Sequence, residues 1–214
     1  MRRAKTQHGF TIIELMITCV VTAIVIGSVG LLGLSNQRAY QSGTASADLE
    51  VDMRRTLDHL VQELQRSGAS VLLPDPAEGV GGSDVTYCQA VGATGGATVW
   101  SKPFRVRLEY EEGELDDGVD NNGNGLTDEG RLMWTRDLGE PNESTRVLCH
   151  RVREYQAGEE PNLADDNGNG LEDERGFSLE RVGDALVIRL SLECSVPEAG
   201  LQTRTLETSV KLRN

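Results

Sequence analysis

The feature that most constrains this chain is an apolar run, residues 10–34, that directly follows a short basic segment. Residues 1–9 contain three bases and no acid, and the apolar run carries a single charge, Glu14. About 20 apolar residues are enough to cross a bilayer as a helix, and basic residues before such a segment stay in the cytoplasm. The sequence therefore predicts a single-pass membrane protein whose remaining chain lies on the far side of the membrane from the cytoplasm. An acid within a membrane segment costs about 2.5–3.5 kcal/mol, so Glu14 is predicted to have a function or a partner.

The residues around Glu14 form a recognisable junction. An ordinary secretory signal would end in a small-x-small cleavage site, which fits poorly here, so the apolar run is predicted to stay in the mature protein. Residues 9–15, Gly-Phe-Thr-Ile-Ile-Glu-Leu, resemble the class III leader junction of type IV prepilins and type II secretion pseudopilins. The resemblance implies that residues 1–9 are a leader, that a prepilin peptidase cuts between Gly9 and Phe10, and that Phe10 is then N-methylated.

Cleavage there would make Glu14 the fifth residue of the mature chain. The new α-amine has an unperturbed pKa near 8 and is mostly protonated at neutral pH. Neither this ammonium nor a carboxylate is stable alone among packed apolar helices, but the two can neutralise each other. We therefore expect Glu14 to pair with the N-terminus of a neighbouring subunit and to fix the register between helices.

The helical pattern continues beyond the membrane segment. Leucine, valine and methionine recur at helical spacing from Leu49 to Leu64, and Ser67-Gly68 is a typical helix end. We predict one helix from about Phe10 to about Ser67. Residues 10–34 would form its transmembrane and filament-core half, and residues 35–68 its amphipathic continuation.

Gly27, Gly30 and Gly33 lie in the middle of this predicted helix. Each weakens a helix by about 1 kcal/mol relative to alanine. Small residues also allow helices to approach closely in membranes. The sequence leaves both interpretations open.

Residues 69–214 are predicted to form a β-rich periplasmic or extracellular domain. Period-two alternation or β-rich composition predicts strands at residues 104–110, 131–135, 146–152, 186–192 and 206–212. Residues 68–96 read as loop, with one weak strand near residues 85–91. A helix followed by hairpin-connected strands gives an α+β class: a long N-terminal helix packed on an antiparallel sheet, as in pilins.

Two further segments carry the family resemblance. Residues 55–68 look like the helix end of PilW-type minor pilins, with departures at Gln65 and Ser67, and residues 205–214 resemble their last strand. The resemblance implies a minor pilin that primes assembly of a type IV pilus, contacts other pilins and a tip adhesin, and lies near the tip at the cell surface. Two alternatives stay open: a J-type minor pseudopilin of a type II secretion system, and a calcium-binding bitopic membrane protein that does not assemble.

The β-rich part contains a repeated acidic loop. Residues 120–129, Asp-Asn-Asn-Gly-Asn-Gly-Leu-Thr-Asp-Glu, recur almost unchanged as residues 165–174. Oxygen side chains at the first, third and fifth places with glycine at the sixth match the opening of a calcium loop. The predicted ligands are Asp120, Asn122, Asn124, Leu126, Asp128 and Glu129 in the first loop, and Asp165, Asn167, Asn169, Leu171, Asp173 and Glu174 in the second.

These loops are not EF-hands, because the twelfth place holds Arg131 in one and Gly176 in the other instead of a bidentate glutamate. A structural calcium ion that braces exposed hairpins is the favoured interpretation. Tight Asx-type turns without metal are the alternative.

Composition and motif content bear on three further properties: nucleic-acid binding, enzymatic activity and disulfide bonding. A formal net charge of -13 disfavours nucleic acid as a partner. Neither a nucleophile motif nor a phosphate-binding loop occurs, so no enzymatic activity is predicted. One disulfide among Cys88, Cys149 and Cys194 is compatible with an exported domain, and small buried thiols are the alternative.

Overall fold

The computed structural model describes residues 11–197 and 199–212. Gly9 and Phe10, the predicted cleavage junction, lie outside them. The chain begins with a helix, α1 (Ile12–Leu64), followed by a short 3₁₀ turn (Ala69–Val71). The described residues then form nine strands. These strands are β1 (Asp84–Tyr87), β2 (Ala90–Thr94), β3 (Ala97–Trp100), β4 (Phe104–Tyr110), β5 (Gly130–Arg136), β6 (Ser144–Val152), β7 (Phe177–Val182), β8 (Ala185–Val196) and β9 (Gly200–Lys211).

The second half of α1 packs on one face of the sheet. Its buried side chains are spaced by three or four residues, so they share one face of the helix. That face contacts β9, β8 and β6. The buried residues of the face are Leu49, Met53, Thr56, Leu57, Leu60 and Leu64. The predicted α+β architecture, a long helix on an antiparallel sheet, is confirmed.

The main sheet has the order β1-β4-β5-β6-β8-β7, with β9 also paired to β8. All its pairings are antiparallel. β9 runs along the whole of one edge of β8. On the other edge β7 pairs with β8 up to Leu190, and β6 meets β8 at Leu192. The chain therefore leaves the edge of β8 at Leu192, where β6 ends, and returns to the same edge at Leu190, where β7 begins.

The sequence prediction missed β3 and β7, and it gave one weak strand at residues 85–91 where the structure has two, β1 and β2, in different sheets. β3 forms a two-residue hairpin with β2, and both turn residues, Gly95 and Gly96, have positive φ. A Gly-Gly pair between short strands is a signal for this turn. β7 is buried on both faces: Glu180, on its otherwise outward side, bonds Arg189 of β8 at 2.9 Å and accepts from the Gly79 amide at 3.0 Å. Gly79 is 101 residues away in sequence, so alternation alone did not reveal this burial.

Candidate functional sites: the N-terminal helix and the acidic loops

The start of α1 is closed by Thr11 and Glu14. Thr11 Oγ1 accepts from the Glu14 amide at 3.3 Å, and Glu14 Oε2 accepts from the Thr11 amide and from the Thr11 hydroxyl, each at 2.9 Å. This is a capping box, which satisfies two amides that a helix start otherwise leaves without partners. Glu14 is thus placed beside the amide that directly follows Phe10 in sequence. It has a local structural role as well as the predicted assembly role.

The first half of α1 has no packing partner within the described chain. Its large apolar side chains are exposed, and its apolar window is wholly unburied. α1 is long and apolar enough to cross a membrane. With the junction at its start, this supports single-pass membrane anchoring.

The first acidic residue of each loop organises the turn in the same way. Asp120 Oδ1 accepts from the amides of Gly123 and Asn124 at 2.6 and 3.2 Å, and its Oδ2 accepts from the amide of Gly125 at 2.8 Å. In the second loop the equivalent distances from Asp165 are 2.6, 3.1 and 2.9 Å. The two loops therefore share one backbone conformation.

The residues at the third, fifth and sixth places also have matching conformations in the two loops. The side-chain oxygens of Asn122 and Asn124 each accept from the amide two residues on, as do those of Asn167 and Asn169. The sixth-place residue, Gly125, has φ of 86°. Glycine adopts that conformation without strain.

The leucines at the seventh place of each loop are buried in the domain. The side chains of Leu126 and Leu171 are buried, 3 and 2% exposed. Each side chain fixes its loop to the domain, which leaves the backbone carbonyl as the group that could bind a metal.

The carboxylates of the ninth-place aspartates hydrogen-bond to backbone amides that lie before the ten-residue loops. Asp128 Oδ1 and Oδ2 accept from the amides of Asp117 and Gly118 at 3.3 and 2.8 Å. Asp173 makes the equivalent bonds to Asn162 and Leu163. These aspartates hold the preceding turn in place.

Two glutamates that precede the predicted loops in sequence hydrogen-bond to the third residue of each loop. Glu114 Oε1 accepts from the Asn122 amide at 2.8 Å, and Glu159 Oε1 accepts from the Asn167 amide at 3.0 Å. Both side chains are buried. The sequence signal was available, because Gly113-Glu114 recurs as Gly158-Glu159 at the same distance before each loop.

The tenth-place glutamates complete the arrangement. Glu129 Oε1 accepts from the side-chain amides of Asn122 and Asn124 at 2.9 and 2.6 Å. Glu174 Oε1 accepts from that of Asn169 at 2.7 Å. Burial raises the pKa of Glu174 above its usual range, and the Asn169 bond opposes the shift.

Both loops cover the sheet face opposite the helix. Ser191, Glu193 and Ser195 alternate with the core-facing residues of β8 and therefore share that outer face. Ser191 Oγ donates to Gln156 Oε1 at 2.6 Å, and Glu193 pairs with Arg153 at 3.2 Å. A Cβ at Gly125 would lie 2.7 Å from Ser195 Oγ, so the first loop also touches this face.

The connections of the two loops differ. The first joins the paired strands β4 and β5 and lies at a hairpin tip, as expected. The second lies within the excursion between β6 and β7, and its stem is only the Tyr155–Arg175 bridge. It is therefore not the long hairpin that was predicted, because its flanking strands pair with β8 and not with each other.

The bases of the two loops are joined directly. Tyr110 Oη donates to Glu154 Oε1 at 3.1 Å, and Arg175 Nη1 donates to the same oxygen at 3.2 Å. The Arg175 guanidinium also lies over the rings of Tyr110 and Tyr155, at 5.2 and 5.3 Å.

Cys88, Cys149 and Cys194 are free thiols in the structure, so the disulfide stays a prediction. Cys149 and Cys194 are buried in the core. Burial raises the pKa of Cys149 to about 12. Cys149 therefore behaves as a small core residue.

The model of the prokaryotic N-terminal methylation motif matches residues 4–34 of the chain. This match supports the type IV pilin and pseudopilin superfamily, and it implies processing by prepilin peptidase, membrane association and contacts with other pilins. No curated protein and no solved structure matches the chain.

Proposed function

We propose that this chain is a minor pilin that is inserted in the inner membrane, cut between Gly9 and Phe10, and incorporated near the tip of a type IV pilus, where it primes assembly. One observation carries the proposal. The first half of α1 is a long apolar surface that the described chain leaves uncovered, and it lies within the match to the methylation-motif model, residues 4–34. A membrane covers such a surface before assembly, and the equivalent helices of other pilins cover it afterwards.

The rest of the domain favours a specialised subunit over a bulk fibre subunit. The two acidic loops lie on the sheet face opposite α1, and their residues are not among those that pack the helix against the sheet. A subunit needed in few copies tolerates such additions more easily than one repeated along the fibre. The exposed surface of the loops themselves would then be the part of the domain available to a tip adhesin.

Processing is the first test. The full chain is co-expressed with a prepilin peptidase, and its N-terminal peptide is identified by mass spectrometry, with an inactive peptidase as control. We expect an N-methylated Phe10 only with the active enzyme. A chain that stays uncut at Gly9 would eliminate both filament functions and leave the non-assembling membrane protein.

The role of Glu14 is the second test, and two substitutions separate capping from charge. Gln at this position can keep the capping box with Thr11 but has no charge, whereas Glu14→Val loses both. We expect both variants to insert in the membrane and both to be depleted from sheared pili. If Glu14→Gln incorporates like the wild type while Glu14→Val does not, the residue acts as a helix cap only, and the pairing with a neighbouring ammonium is wrong.

A further inference from the structure

Among the described residues, four buried carboxylate oxygens have no hydrogen-bond partner: Oε2 of Glu114, Glu129, Glu159 and Glu174. The four side chains are between 0 and 6% exposed. In each, Oε1 is bonded to an amide of an acidic loop, so the second oxygen of the same carboxylate is held beside that loop. The same arrangement occurs twice, in two places of the fold.

A buried carboxylate without a compensating partner is strongly unfavourable. The arginines near the loops have carboxylate partners of their own: Arg153 with Glu193, and Arg175 with Glu154. Arg189 attracts Glu174 electrostatically, but it is itself paired with Glu180 and Glu207. The two glutamates at each loop therefore each keep one buried oxygen that no described group bonds.

We propose that each acidic loop and the glutamate of the turn before it form one calcium site, so that the protein binds two calcium ions. Glu114 and Glu129 supply carboxylates at the first site, and Glu159 and Glu174 supply them at the second. This inference does not depend on the filament function, since the loops lie on the opposite face of the sheet from α1.

The chemistry of the donors favours calcium. The donor set is entirely oxygen, from carboxylates, asparagine amides and backbone carbonyls, and calcium accepts six to eight such ligands in flexible geometry. Among the described residues, no group of three or more His, Cys, Asp or Glu side chains is arranged to hold a metal ion. Each proposed site therefore combines two glutamates with neutral oxygens of the loop, such as the carbonyl of Leu126 or Leu171, which is a donor set that calcium accepts.

The structure changes the ligand set that the sequence suggested. Asp128 and Asp173 hold the turns that carry the acidic residues before each loop, through the amides of residues 117–118 and 162–163. Glu114 and Glu159 enter as ligands in their place. Calcium would thus tie each turn to its loop, and the Tyr110, Glu154 and Arg175 contacts would couple the two sites.

The experiment uses the full chain in detergent micelles and a titration with CaCl₂. Binding is followed by isothermal titration calorimetry, and thermal unfolding by tryptophan fluorescence. We expect two calcium ions per chain, with dissociation constants on the order of 0.1–1 mM as in extracellular modules, and a higher melting temperature in calcium than in EDTA. MgCl₂ at equal concentration should have little effect, because magnesium demands a stricter octahedral geometry.

Two double variants separate specific ligands from general charge. Glu114→Gln with Glu159→Gln removes the proposed ligands, and Glu112→Gln with Glu160→Gln removes equal charge from exposed neighbours in the same turns. The first pair should weaken calcium binding at least tenfold and abolish the thermal shift. The second pair should bind calcium like the wild type.

The melting temperature in EDTA shows whether the double variant loses calcium binding only because it is misfolded. Without calcium, Glu114→Gln and Glu159→Gln should leave the melting temperature unchanged or raise it, because each removes an uncompensated buried charge. Equal loss of binding in both double variants, no binding in the wild type at 10 mM CaCl₂, or variants that unfold more easily in EDTA would each overturn the proposal.

Discussion

The two halves of α1 are both rich in large apolar residues, but their surroundings are opposite. In the second half Leu49, Met53 and Leu60 are 0% exposed, whereas in the first half Leu31 and Leu32 are 71 and 64% exposed. The second half is covered by the sheet of its own chain. The first half can be covered only by lipid or by other molecules. Apolar composition therefore predicts that a surface will be buried, but it does not identify the partner that buries it.

The largest expected effect comes from breaking the covered half. Leu60→Ala should lower the free energy of unfolding by about 2–5 kcal/mol, because the removed side chain leaves a cavity between α1 and the sheet. Urea unfolding of the full chain in micelles, followed by fluorescence of the buried Trp134, measures this. Leu32→Ala is the matched control and should change that free energy by less than about 0.5 kcal/mol. Equal losses would mean that the first half also packs on the domain.

A smaller effect, confined to the helix itself, is expected from a substitution in the uncovered half. A Cβ at Gly30 would meet no atom of the chain within 4 Å. Gly30→Ala should therefore stabilise the isolated helix by about 1 kcal/mol, without changing the melting of the domain.

Gly30→Leu distinguishes the two roles of the glycines that the sequence left open. If the glycines form a close-packing face between subunits, the leucine variant is depleted from sheared pili while its domain melts normally. Normal incorporation of Gly30→Leu would show that Gly30 is not in such a face.

The smallest effect is expected where the covered half faces solvent. Arg54 Nη2 lies 2.6 Å from Glu50 Oε1, and both side chains are well exposed. An exposed pair at this spacing contributes about 0.3–0.5 kcal/mol. Glu50→Gln should lower the free energy of unfolding by no more than that in low salt, with the difference vanishing in 1 M NaCl. A loss close to that of Leu60→Ala would mean that Glu50 has a second partner.

Local patterns predicted much of the fold. The helix was predicted from about Phe10 to about Ser67, and it extends from Ile12 to Leu64. The strand at residues 104–110 was predicted at its observed bounds. Both succeed because burial on one face imposes a period of 3.6 on a helix and of two on a strand. β7 was missed because its outward Glu180 is buried by a partner that no periodicity reveals.

In the acidic loops, too, local sequence predicted one part of the arrangement and missed another. Ligand spacing within residues 120–129 identified the turn, since Asx-type bonds join residues close in sequence. Glu114 was missed because it lies outside the ten-residue repeat; the Gly-Glu pair repeated before each loop was the available signal, and the structure shows its bond to the Asn122 amide.

The sequence by itself determined the methylation motif, the apolar half of α1, the repeated turns and the alternating strands, because each depends on neighbours a few residues apart. Only the tertiary structure decided which half of the helix is covered, where β6 leaves the edge of β8, and which glutamates end buried without a partner. Those features depend on contacts between residues distant along the chain, and burial is a property of such contacts.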